Sequence, residues 1–515
     1  VGSVTLTANG THAYAGINVG AGAGVNSNGT DDVTSDDRAQ GGNIGDLTLR
    51  AQGDGAYVDA YADTDGVFGG DEAYLAAGNI GAVSLIASGT GAGGEVTLNA
   101  YSGGSIGNVT ATGQGRQMGI DVGVSAGFGN IGSLNVSTEG AGAEAYLRAS
   151  AGAAMDDNGT TENLSDDRAI GGNIAAVSLR VMGTGGYASG YVTTEGVFTG
   201  DEKYYAAGNV GPVTLSATGT SARAYLDVSA YNGGNVGNVS TTATGREADA
   251  ELSVYANYGS VGTVTATANG PSSYAYVDVY ASAGVNTNGT DAVGDDRAQG
   301  GNIGELTLRA QGDGAYVEAY AQTDGVFSDG GVYLAAGNIG AVSLIANGAY
   351  ASGIVALNAY SGGSIGNVTA TGLGRDAYVD VSATASIGNI GSLNVSSEGA
   401  GADAYLRASA GAAMTNASVA IGGNIGAVNL RVNGTNAYAS GYVTTDGVFS
   451  GDEKYFAAGN VGPVSITANG AYAQADLGVS AYNGGNVGNA ALMANGLNAG
   501  ASLNVYANYG SVGAV

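Results

Sequence analysis

The side chains best suited to chemistry are carboxylates, and they occur in clusters. One acidic run, Asp31, Asp32, Asp36 and Asp37, follows Ser27-Asn28-Gly29-Thr30 and ends at Arg38, with counterparts from Asp156 to Arg168 and from Asn288 to Arg297. A second type reads Asp65-Gly66-Val67-Phe68-Gly69-Gly70-Asp71-Glu72 and returns from Glu195 to Glu202, Asp324 to Gly331 and Asp446 to Glu453. Grouped Asp, Asn and backbone oxygens are the donor set of calcium, a hard cation that takes roughly six to eight oxygen ligands. Asp63 and Asp65 in Asp63-Thr64-Asp65-Gly66 give the best local pattern, with Asp71, Glu72 and the Asp31 to Asp37 run as further candidate ligands. The equivalents of Asp63 are Thr193, Gln322 and Thr444, so a solvated acidic loop is the competing reading.

Other chemistry finds little footing. The one histidine, His12, is replaced by Ser272 in the matching segment, so no histidine-based general base or metal cluster can be assembled. Cysteine is absent, which removes disulfides and thiolate metal sites. A polysaccharide-acting enzyme on this architecture needs a cluster of acidic and basic groups that breaks the repeat, and none is visible. No catalytic or cofactor-binding residue is nominated.

These loops hang on a repeat. The phrase Asn-Ile-Gly followed by alternating apolar residues, as in Asn43-Ile44-Gly45-Asp46-Leu47-Thr48-Leu49, recurs with spacings of 43, 36, 26 and 25 residues, then 43, 36, 26, 25, then 42, 36, 26, 25, and finally 35, 36, 26, 25. Fixed periods of this size signal a solenoid, propeller or array. Leu47, Leu49 and Ala51 alternate with Asp46, Thr48 and Arg50; after a glycine-bearing turn, Val58, Ala60 and Ala62 alternate with Tyr57, Asp59 and Tyr61. Period two is the strand signature, and no helical stripe is present. Two strands in about 25 residues make one coil of a parallel β-solenoid, too few for a propeller blade. The expectation is an all-β chain of about 16 coils with a fully apolar core, about 80 Å long at about 4.8 Å per coil. It forms one continuous solenoid over 1–515, in four-coil blocks at 44–173, 174–302, 303–424 and 425–515, the last incomplete and continued in phase by 1–43.

Asn or Ser precedes each later marker. The asparagines, Asn43, Asn79, Asn130, Asn173, Asn209, Asn235, Asn302, Asn338, Asn389, Asn424, Asn460 and Asn486, are expected to stack as a hydrogen-bonded corner ladder. The extra residues of long coils fall at one corner, so the loops should form paired bosses along one edge. Phe68, Phe198, Phe327 and Phe449 recur at one loop position, where they either fold back over their own coil or dock into a neighbouring molecule. Outward tyrosines, among them Tyr57, Tyr61, Tyr225, Tyr274, Tyr276 and Tyr280, suit lateral packing, carbohydrate stacking or simple strand propensity. Paired threonines such as Thr110 and Thr112 hint at an ice-binding face, but Asp46 and Ile86 interrupt it.

With 44 acidic against 15 basic residues the chain carries −29, which argues against nucleic acid or an anionic membrane as partner. No apolar run is long enough for a transmembrane helix. Sequons such as those at Asn9, Asn28, Asn108, Asn158, Asn163 and Asn238 are frequent, as chance allows in this composition. Val1 and Val515 fall within the repeat without a polar cap, so the chain is expected to be a window on a longer array or to be continued head to tail by a second copy.

The pattern Gly78-Asn79-Ile80-Gly81-Ala82-Val83-Ser84-Leu85, repeated throughout, resembles the large repetitive β-solenoid surface proteins of prokaryotes: filamentous-haemagglutinin-like adhesin stalks and the repeat proteins of fibres, sheaths and S-layers. The resemblance implies an extracellular or cell-surface location and a structural or adhesive role. The resulting expectation is a self-assembling subunit of a filament, sheath or surface layer whose partners are copies of itself and cell-surface glycans. The alternative is a stalk displaying a tip outside this chain.

Overall fold

Glycine, alanine and β-branched residues in strict alternation leave the backbone one economical arrangement, in which each strand lies over its equivalent one repeat later. A computed structural model describes residues 1–26, 38–66, 78–156, 168–197, 208–286, 297–325, 337–415, 419–448 and 459–515. It is a parallel β-solenoid, with no helix among the described residues. The backbone groups into two compact units, Val1–Ser240 with Ala248–Asn257, and Thr241–Glu247 with Tyr258–Val515.

In the first unit one parallel sheet runs through Val4–Asn9, Leu47–Gln52, Val83–Ser88, Val109–Gln114, Ile131–Glu139, Ile174–Met182 and Val213–Thr218. The other runs through Tyr14–Asn26, Tyr57–Asp65, Gly93–Tyr101, Gly119–Ala126, Glu144–Ala151, Tyr187–Glu195, Arg223–Tyr231 and Asp249–Ala256. The second unit repeats the plan. Its first sheet begins at Val264–Asn269 and ends at Ala490–Ala494, and its second begins at Tyr274–Asn286 and ends at Gly500–Ala507. Register is strict: Leu47 faces Val83, Leu49 faces Leu85 and Ala51 faces Ala87. The inward set Leu47, Leu49, Ala51, Val58, Ala60 and Ala62 is buried, while Asp46, Arg50 and Tyr57 are exposed.

Three features go beyond a two-strand coil. The marker residues pair with one another in a separate bridge column, Ile44 to Ile80 to Ile106 to Ile131, and each is buried. The turn between the strands is also paired coil to coil, for instance His12 N to Asp54 O at 2.8 Å and Gly55 N to Thr90 O at 2.9 Å. Its apex is left-handed, with φ 55° at His12 and 68° at Gly55. Most distinctive are short antiparallel arms that branch from the second sheet: Tyr14–Asn26 turns back onto Arg38–Gly41, Ala153–Asp156 onto Arg168–Gly171, Tyr274–Asn286 onto Arg297–Gly300, and Asp403–Thr415 onto Val419–Gly422.

The core departs from the fully apolar expectation. Thr64, Thr194, Thr323 and Thr445 are buried at one corner. Each hydroxyl donates to the carbonyl of a glycine 14 residues on, Gly78, Gly208, Gly337 and Gly459 respectively. A buried carbonyl without a partner is costly, and the hydroxyl supplies one where no backbone N–H reaches.

Candidate functional site

The asparagine corner is a continuous rung system within each unit. A parallel coil step brings each asparagine over its predecessor. In the first unit the Oδ1 of Asn43 accepts the backbone N–H of Asn79 at 3.0 Å, and Asn79 accepts that of Ser105 at 2.9 Å. Ser105 substitutes its hydroxyl oxygen and accepts from Asn130 at 3.2 Å. Asn130, Asn173, Asn209 and Asn235 continue, with side-chain amides donating along the column at 2.9, 3.0 and 3.2 Å. In the second unit Asn302, Asn338, Asn389, Asn424, Asn460 and Asn486 repeat the scheme, with Ser260, Ser364 and Ser511 standing in for asparagine. A parallel rung runs three residues on: Asp46 accepts from Ala82 N at 2.8 Å, Asn108 from Ser133 N at 2.8 Å and Asn367 from Ser392 N at 2.8 Å. Its residue type varies between Asp and Asn, so the repeat phrase alone does not mark it.

The loops have ordered bases. The four arms and the four threonine bonds fix where each insertion leaves the coil. The Asp31, Asp32, Asp36 and Asp37 cluster lies outside the described residues, as do Asp71, Glu72, Phe68, Phe198, Phe327 and Phe449. Asp63 and Asp65 are described and stand two residues apart on the outward face of Tyr57–Asp65, opposite Asn99 and Tyr101 of the next coil. Among the described residues no three His, Cys, Asp or Glu side chains converge into a metal-binding group. The fourth arm keeps its backbone pairing down to Thr415 and Val419, although its sequence has lost the acidic run. His12 sits at a turn apex over Gly55, in a structural position. Val1 is exposed and its ammonium donates to Asn43 O at 2.8 Å; Val515 is exposed.

The outer face of the second sheet is the most elaborated surface. Tyrosines meet from coil to coil, stacked for Tyr14 on Tyr57 at 6.3 Å between ring centroids and Tyr274 on Tyr316 at 5.2 Å, and tilted in the run Tyr378, Tyr405, Tyr438 at 5.4 and 6.0 Å. Carboxylates interleave with them: Tyr225 donates to Asp249 at 3.2 Å, Tyr316 to Glu318 at 3.0 Å and Tyr378 to Asp380 at 3.1 Å. Burial, then the neighbouring negative charges, pushes Tyr57, Tyr225 and Tyr378 up to about 12. Burial also raises Asp249, against the hydrogen bond from Tyr225 and the charge of Arg223, and raises Asp278 and Asp403. These phenols therefore stay protonated and donate to carboxylates across the neutral range.

The sequence matches no protein-family model, and no curated protein or solved structure aligns with it at a significant level.

Proposed function

We propose that this chain is a structural subunit of an extracellular filament, sheath or surface layer. The observation that carries the reading is repetition: within each unit the polar groups that recur are those joining one coil to the next, namely the asparagine rungs, the paired turns and the phenol-carboxylate face. What one coil offers its neighbour is a row of backbone N–H and C=O groups, an asparagine acceptor and an alanine-rich core. A second copy meeting an open coil finds the same three features, so head-to-tail growth by strand addition uses no new chemistry. Within each unit the described arms branch from the ends of second-sheet strands, which suits the segments they carry to lateral contact between copies. The lack of cysteine and the charge of −29 accord with an exported protein held together by backbone ladders. The second reading, an adhesin stalk, draws on the same architecture and differs in having no tendency to polymerise.

Electron microscopy of the purified full chain at neutral pH separates the two. Filaments or sheets whose axial repeat is a whole number of coils support the subunit. Dispersed particles across a wide range of protein concentration refute it in favour of the stalk. Repeating the experiment with calcium and with a chelator tests the acidic loops as ligands, through the loss of order on chelation.

A further inference from the structure

The outer face of the second sheet carries the same groove twice, once in each unit. In the first unit Arg148 lies directly opposite Tyr191 of the next coil and Gly123 of the previous one. In the second unit Arg407 lies opposite Tyr442 and Ser382. Each pair bounds a shallow cavity, of about 380 Å³ in the first unit and about 320 Å³ in the second. The exposed lining is mostly apolar, from Val124 and Ala149 in one and Ala383 and Ala408 in the other, with Asn99, Ser150 and Thr193, or Thr384, Ser409 and Thr444, placing polar groups along it. Among the described residues no carboxylate lines either groove. Among the described residues neither guanidinium is in an ion pair, in a chain where acids outnumber bases by 44 to 15. Tyr191 and Tyr442 are both 49 % exposed, which leaves a ring face open at each groove.

We propose that these two grooves bind anionic sugar units of an acidic polysaccharide. A guanidinium presents a planar fork of donors that matches a carboxylate or sulfate. The neighbouring phenol ring and the alanine and valine carbons of the floor offer an apolar face to the C–H face of a pyranose, and the hydroxyls set along it, with Asn99 in the first groove, suit the sugar's own hydroxyls. The groove crosses four neighbouring strands in the first unit and three in the second, an elongated shape suited to a polymer segment. The two sites are not identical. Tyr191 faces Asp227 on its far side, whereas Tyr442 faces Gly478, over which its ring lies. The second groove lacks that repelling charge and is the tighter of the two. This inference stands whether or not the chain polymerises.

The test measures binding of the full chain at neutral pH and 0.15 M salt to polygalacturonate, dextran sulfate, neutral dextran and poly-glutamate. The expected result is binding of at least one acidic polysaccharide, with neutral dextran and poly-glutamate at least tenfold weaker. The carboxylated and sulfated polymers identify which anion the fork prefers. The double variants Arg148→Gln/Arg407→Gln and Tyr191→Ala/Tyr442→Ala should each lose at least tenfold in affinity with unchanged thermal unfolding, and R246Q, on a turn outside both grooves, should lose nothing. Arg407→Gln alone should cost more than Arg148→Gln alone. Failure of both acidic polysaccharides to bind, retention of affinity by either double variant, or equal binding of poly-glutamate overturns the proposal, the last because bare charge attraction would then suffice.

Discussion

Truncating Asn173 to alanine removes four hydrogen bonds made by one half-buried side chain. Its amide donates to Asn130 Oδ1 and to Gly171 O, each at 2.9 Å, and its Oδ1 accepts the backbone N–H of Asn209 at 3.1 Å and the Asn209 amide at 3.0 Å. Asn130 Oδ1 keeps one partner, the backbone N–H of residue 173 at 3.1 Å, so the uncompensated losses centre on Asn209. At a net value of about 0.5–1.5 kcal/mol per bond, partly offset by water at this edge, the change should cost about 2–4 kcal/mol. Because coils are stabilised mainly by their neighbours, the cost should appear as local opening. Native-state amide hydrogen exchange, read on peptides covering residues 208–218, should then accelerate roughly 30- to 900-fold in the variant, at 1.36 kcal/mol per decade. Asn173→Ser should fall between the two, since Ser105 shows that a hydroxyl can accept the next coil's N–H, at 3.2 Å. Acceleration below about threefold for Asn173→Ala would refute the reasoning, and so would a serine variant no better than alanine.

Three further outcomes follow from the geometry. A Cβ at Gly104 would sit 2.0 Å from Gly78 O, whereas one at Gly119 meets nothing within 4 Å; Gly104→Ala should destabilise by about 3 kcal/mol or more and Gly119→Ala by less than about 0.5 kcal/mol, as measured by denaturant titration of each variant. Thr194→Val keeps shape but leaves Gly208 O without its hydroxyl donor, so limited proteolysis near the loop base should accelerate, corresponding to about 1–3 kcal/mol of local stability. The pH profile should tilt toward acid: phenols raised in the folded state stabilise fully below about pH 10 and lose that contribution as pH climbs through about 12. Asp249, Asp278 and Asp403 are raised as well, so their contribution is full below the ordinary carboxylate range and is lost as pH rises through their folded values; thermal unfolding should therefore occur at a higher temperature near pH 4 than at pH 7.

The alternation of Leu47, Leu49 and Ala51 against Thr48 and Arg50 was enough to read strand, solenoid and inward face, because period two leaves a side chain no choice of side once one face is buried. The antiparallel arms were not legible. Segments such as Arg38-Ala39-Gln40-Gly41 are short and carry no strong strand formers. Thr64 fits the polar/apolar alternation as a core position, and only the position of Gly78 O shows why a hydroxyl belongs there. The Arg148–Tyr191 pairing joins residues 43 apart through the longest coil, and sequence gives it no motif. Loop composition was plain in the sequence, but composition does not say where a carboxylate points.

The left-handed turn apex has a consequence for how this protein can vary. Its conformation is imposed by hydrogen bonds between coils, and in the first unit the apex is occupied in turn by histidine, glycine, glutamine and serine at φ between 53° and 68°. In the second unit Tyr350 and Tyr472 occupy it, 60 % and 52 % exposed. A non-glycine residue there costs roughly 1–2 kcal/mol against glycine, less for Asn and Asp and more for β-branched residues, and no β-branched residue occupies the apex among the described residues. Each unit therefore carries a line of interchangeable letters at a regular pitch, on which the surface identity of the protein can be rewritten residue by residue while the coil beneath stays the same.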